Sequence, residues 1–160
     1  MIRTFQRAMN TSIQKRLNFI KNEIEEHCAK VSVERIPRLI AVSKTKTEED
    51  IVAAYDAGQR DFGENYANEL KLKSVALFEQ CPEIRWHFIG TVQKKQLNAI
   101  LKSKNLVEIE TVGSFKLIEM IEKRLSEGSS IRLSKRLWRE FHKIKNPMKV
   151  FFFFQSCRTL

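Results

Sequence analysis

Four short apolar runs begin near residues 38, 60, 84 and 106, separated by 22 to 24 residues, and each gap holds one stretch with helical spacing. Runs this short cannot be helices, and their β-branched and aromatic content suits strands covered by other elements. A strand–helix rhythm of that period implies a parallel sheet, because each crossover must return the chain to its starting end, and such crossovers are right-handed. The expected class is α/β, with ligands gathered at the carboxyl ends of the strands.

The helical stretches carry their own signals. Ile13, Leu17, Ile20, Ile24 and Cys28 form one apolar stripe ahead of the first strand. Thr47 opens the next helix, with Glu48, Glu49 and Asp50 in its first turn, and Gly58 closes it. Strands at residues 38–43, 59–62, 84–89 and 106–111 alternate with helices carrying Leu70, then Leu97, Ile100 and Leu101. Ser114 caps a last helix that turns Leu117, Ile118, Ile121 and Leu125 inward.

The first strand runs straight into a hydroxyl–lysine pair. Alternation puts Val42 and Lys44 on one face and Ala41 and Ser43 on the other. A lysine on the inner face of a covered strand is expected to be depressed by burial and by a like charge such as Lys46, leaving a neutral amine. A solvated lysine at a strand end is the other reading. Asn65, His87 and Gly90 also fall at or near strand ends. Asn65 reads either as a polar group in the site or as a helix N-cap, and His87 as a site group or a satisfied core histidine. Gly90 either lets backbone approach closely or merely ends a strand.

Three motifs, Leu-Ile-Ala-Val-Ser-Lys-Thr-Lys (39–46), Phe-Gly-Glu-Asn-Tyr (62–66) and Trp-His-Phe-Ile-Gly (86–90), occur in that order. Together they resemble the pyridoxal phosphate homeostasis protein family, which is similar to the barrel domain of alanine racemase standing alone. The resemblance runs from about residue 38 to 125 and implies a (β/α) TIM-type barrel. It implies that Lys44 holds pyridoxal 5'-phosphate as a Schiff base, with Asn65, His87 and Gly90 beside the cofactor. It further implies a carrier or regulator of the cofactor, not an enzyme, with cofactor-dependent apo-enzymes as partners.

At 160 residues the chain is too short for a complete eight-fold barrel, which needs at least about 200. The expected architecture is thus a partial barrel of about four βα units over residues 1–125, preceded by a helix, with a non-family tail at 126–160. A truncated splice form or shifted reading frame would give such a tail. The family's phosphate-gripping segment lies in late loops not recognisable here, and Gln93 is followed by Lys94, Lys95 and Gln96 where the family usually shows an Asn-Lys pair. Weak cofactor binding is the expectation, and open strand edges favour self-association.

The net charge of +10 divides unevenly, with eight Lys/Arg against two Asp/Glu in residues 126–160 and +4 left for the first 125. A basic tail holding Trp138, Phe141 and four phenylalanines at 151–154 could contact an anionic surface or nucleic acid, but a solvated tail is the plainer reading. A racemase-like activity is the enzymatic alternative, although the second base of that fold comes from another domain. Cys28, Cys81 and Cys157 are odd in number and show no metal-ligand spacing, which reads as reduced thiols in a cytoplasmic protein. The first 22 residues lack acids and carry Arg3, Arg7, Lys15, Arg16 and Lys21, so a mitochondrial presequence is the alternative there. No stretch has the length and apolarity of a membrane span.

Overall fold

The structure, a computed structural model, describes residues 2–31, 33, 35–125 and 131–133. A long helix α1 (Ile2–Lys30) precedes β1 (Ala41–Val42), α2 (Glu48–Asp56), β2 (Asp61–Glu64) and α3 (Ala67–Ala76). There follow β3 (Arg85–Phe88), α4 (Leu97–Leu101) entered through a 3-10 turn, β4 (Leu106–Ile109), α5 (Phe115–Leu125) and β5 (Arg132–Leu133). The strands lie in the order β1-β2-β3-β4-β5, every neighbour parallel. Strict sequential order means that every crossover winds the same way, which is barrel winding; a doubly wound sheet reverses its order part-way. The expected partial (β/α) barrel is therefore the fold, and the five strands among the described residues fall short of the eight that close one.

The core lies between the outer face of the sheet and the helices. Phe62, Trp86, Phe88 and Ile109 project outward from β2, β3 and β4 into Ile51, Leu70, Leu97, Ile100 and Ile121, all at most 2 % exposed. Thr47 caps α2 by accepting from the Asp50 N–H at 3.3 Å, and Gly58 takes φ +85° just past its end. Ser114 caps α5 as expected, its Oγ accepting from the Leu117 N–H at 3.3 Å. The spacing on α5 also holds, with Leu117, Ile118 and Ile121 buried.

Four local expectations change. The first strand is not covered on both faces: Val42 is 51 % exposed, because among the described residues no facing strand covers it. It is also only two residues long. β2 sits two residues later than its apolar content indicated, so Gly63 and Glu64 lie inside it. The stripe on α1 is only partly covered, with Leu17 buried but Ile20 45 % exposed. Past residue 125, where no further strand was recognisable, β5 pairs Glu108 with Arg132 and Ile109 with Leu133. Trp138, Phe141, Cys157 and the phenylalanines at 151–154 lie outside the described residues.

Candidate functional site

Lys44 sits in the turn directly beyond β1, at the carboxyl edge of the sheet. Its side chain is exposed and, among the described residues, has no hydrogen bond or ion pair. The burial expected from sequence is thus not supplied, for the same reason that Val42 is open. Lys46 is exposed as well, and its N–H closes the turn onto the Ser43 carbonyl at 3.0 Å. The register pairs Val42 with Gly63 and Gly63 with His87, so the end of β1 lies beside the exit of β2, where Asn65 follows.

Asn65 is half-buried in that exit and is not the cap of α3; the cap position is Tyr66, which makes no side-chain capping bond. Gly90 ends the extension of β3 against it. A Cβ on Gly90 would overlap the Asn65 carbonyl oxygen and come within 2.7 Å of its carbonyl carbon. Of the two readings of Gly90, the structure thus shows close backbone approach, which packs the β2–α3 and β3–α4 loops together. Asn65 and Gly90 are in contact, and Lys44 lies in the turn after β1, the strand that pairs with β2.

His87 is fully buried on the inner face, level with Val42 and two strands away, about 10 Å across at the usual strand spacing. Its Nε2 meets Asp61 Oδ1 at 2.9 Å and its Nδ1 meets Glu110 Oε1 at 3.0 Å. Asp61 also accepts two hydrogen bonds from Arg85, at 2.9 and 2.6 Å. Burial works against the Asp61 carboxylate, but the Arg85 and His87 hydrogen bonds outweigh it and hold its pKa below the ordinary range. Arg38 bridges Asp61 and Glu108 at 3.6 and 3.2 Å. One nitrogen of His87 and oxygens of Glu108 and Glu110 lie within 4.8 Å of one another, a spacing a cation could use, yet His87 is already bonded to Glu110 and Glu108 to Arg38. His87 is therefore a fixed wall of the inner face.

A second polar cluster lies on the outer face behind the Lys44 turn, and sequence reasoning missed it. Lys73, on the buried side of α3, donates to the Ser43 carbonyl, Glu64 Oε1 and Glu69 Oε2, each at 2.8 Å. Glu64 is fully buried and also accepts from Ser43 Oγ at 2.8 Å. Burial opposes the Lys73 ammonium, but Glu64 and Glu69 more than offset it and raise its pKa. Glu69, by contrast, is lowered by Lys73 first and then by the Thr45 N–H it accepts at 2.9 Å. A signal did exist in the sequence: Glu69 and Lys73 stand four apart on one helix, and Lys73 follows Leu70 by three, on the buried face.

A separate cleft of about 230 Å³ opens at the opposite, amino end of the strands, lined by Lys21, Arg38, Gln59, Asp61 and Arg85 among others. It is not contiguous with the Lys44 turn. Among the described residues no helix is long and apolar enough to cross a membrane.

No protein-family model matches the chain. A bovine (Bos taurus) pyridoxal phosphate homeostasis protein is 46% identical over 100 residues, which cover 61% of this chain and 37% of that protein. The chain is related to the pyridoxal phosphate homeostasis proteins. It spans well under half the length of that curated relative. Among solved structures, PipY of Synechococcus elongatus with pyridoxal phosphate bound is 33% identical, with a TM-score of 0.53, over 65% of this chain and 49% of PipY. An unknown protein from Bifidobacterium adolescentis superposes with a TM-score of 0.71 at 28% identity, over 79% of this chain and 55% of that one. The relation to the homeostasis proteins accords with the three motifs, and the likeness to PipY accords with the partial barrel.

Proposed function

We propose that this chain binds pyridoxal 5'-phosphate through Lys44 and acts in the homeostasis of that cofactor as a carrier, not as a catalyst. The observation that carries the reading is the Lys44 turn: an exposed amine without a partner among the described residues, at the carboxyl edge of a parallel sheet, between two residues that are both tied down. The donor set fits the aldehyde end of the cofactor. When bound, pyridoxal phosphate supplies an electrophilic carbonyl carbon to which a neutral amine adds with loss of water, giving a reversible covalent link.

The chain's own residues do the rest. Lys44 presents its amine from the turn at the exposed carboxyl edge of the sheet. Asn65 offers amide donors and an acceptor from the adjoining loop, and the Gly90 contact fixes that loop's position. His87, locked between Asp61 and Glu110, bounds the inner face and has no free nitrogen to move a proton. A carrier that holds a reactive aldehyde reversibly suits delivery to apo-enzymes.

The test is to incubate the full chain with pyridoxal phosphate, reduce with borohydride and map the modified peptide by mass spectrometry. Modification centred on Lys44, and lost in Lys44→Ala, is expected. Label spread evenly over the exposed lysines would sink the proposal. Alanine racemisation that disappears in Lys44→Ala would move the chain to the enzyme class.

A further inference from the structure

We infer that Lys73, with Glu64 and Glu69, is a positioning clamp that sets the direction of Lys44 from behind the sheet. The inference rests on the Lys44 reading above and adds residues to it.

Both neighbours of Lys44 are held by this cluster, while Lys44 itself has no partner among the described residues. On one side, Ser43 gives its carbonyl to Lys73 Nζ at 2.8 Å and its hydroxyl proton to Glu64 Oε1 at 2.8 Å. Its N–H is bound to the Gly63 carbonyl at 2.9 Å. On the other side, Thr45 gives its N–H to Glu69 Oε2 at 2.9 Å. Every polar handle of Ser43 is thus used, and the Thr45 amide is fixed from the same helix. The three donors of the Lys73 ammonium are all spent, two on carboxylates and one on the backbone of the site.

Two costs mark the arrangement as more than packing. Thr45 holds φ +62°, the left-handed region that a β-branched residue avoids. Glu64 is fully buried with Oε2 lacking a partner among the described residues. A hydrophobic pair at 64 and 73 would fill the same space without either desolvation cost. What such a pair could not do is grip the backbone on each side of one exposed lysine. Strained residues persist where surrounding structure over-determines them, and such sites carry function. The clamp holds the turn so that the carbon at which the Lys44 side chain leaves the backbone has one orientation, leaving only its own rotamers to search.

The experiment compares Lys44 with Lys46, which lies two residues away and is also exposed. Full-length wild type, Glu69→Gln and Lys73→Met are treated with limiting pyridoxal phosphate, reduced with borohydride, and the Lys44:Lys46 labelling ratio is read by mass spectrometry. Hydrogen exchange at the Thr45 amide is followed in parallel. Wild type is expected to favour Lys44, and both variants to lower the ratio at least about fivefold with faster Thr45 exchange. Glu69 is part-exposed, so Glu69→Gln keeps the test decisive if Lys73→Met does not fold. An unchanged ratio in a folded Glu69→Gln protein overturns the clamp while leaving the carrier reading intact. A wild type that labels the two lysines equally overturns the carrier reading, and the clamp with it.

Discussion

Adding one methyl group at each of four glycines should produce four distinct outcomes. At Gly90 the new Cβ meets backbone only: it overlaps the Asn65 carbonyl oxygen and lies 2.7 and 2.9 Å from the Asn65 carbonyl carbon and Cα. Relief requires moving the β2–α3 loop, which the Ile89 N–H to Glu64 carbonyl bond at 2.9 Å holds in place. The cost belongs at the upper end of overpacking, about 3 kcal/mol. Gly58→Ala meets no close atom but inherits φ +85° and should cost about 1–2 kcal/mol. Gly63→Ala would press on Ile89 Cδ1 at 3.1 Å and on the branch methyl Cγ2 of Ile40 at 3.2 Å, and should cost about 1 kcal/mol. Gly113→Ala has nothing within 4 Å and no left-handed φ, so it should stabilise by about 0.4–1 kcal/mol through the unfolded chain. Urea unfolding followed by far-ultraviolet circular dichroism reads the series. With a slope of about 2 kcal/mol per molar, Gly90→Ala should lower the midpoint by about 1.5 M. A Gly90→Ala midpoint equal to wild type would refute the close packing of the two loops on which the Asn65–Gly90 geometry rests.

Acid should weaken the fold through Asp61 and Glu69, whose folded pKa values are held down. Their contribution is complete above the unfolded carboxylate range of about 4 and is lost as pH falls through the lower folded values. Asp61→Asn should flatten the acid limb of the urea midpoint against pH, and parallel limbs for the two proteins would count against the Arg85 and His87 attribution. Thr47→Ala removes the acceptor for the Asp50 N–H and should cost about 1 kcal/mol in the same assay, with no change in the Lys44 labelling pattern.

The sequence by itself determined the order of the first four strands and the helices between them, their parallel pairing and the winding, because the strand–helix period and the right-handed crossover are local rules. It also placed Thr47, Gly58, Ser114 and the buried face of α5, since caps and stripes depend on neighbours within a turn. What it could not decide was how much of the inner face would be covered. That depends on closure of the barrel, a property of the whole sheet, and the open interior is why Val42 and Lys44 are exposed. Nor could it separate the readings of Asn65, His87 and Gly90, since each turns on partners 23 to 26 residues away in sequence or on a neighbouring loop. Lys73 shows the same limit most clearly. On its helix it is one of two lysines, and only the tertiary fold brings its ammonium to the backbone of Ser43, 30 residues distant, beside the buried Glu64 carboxylate.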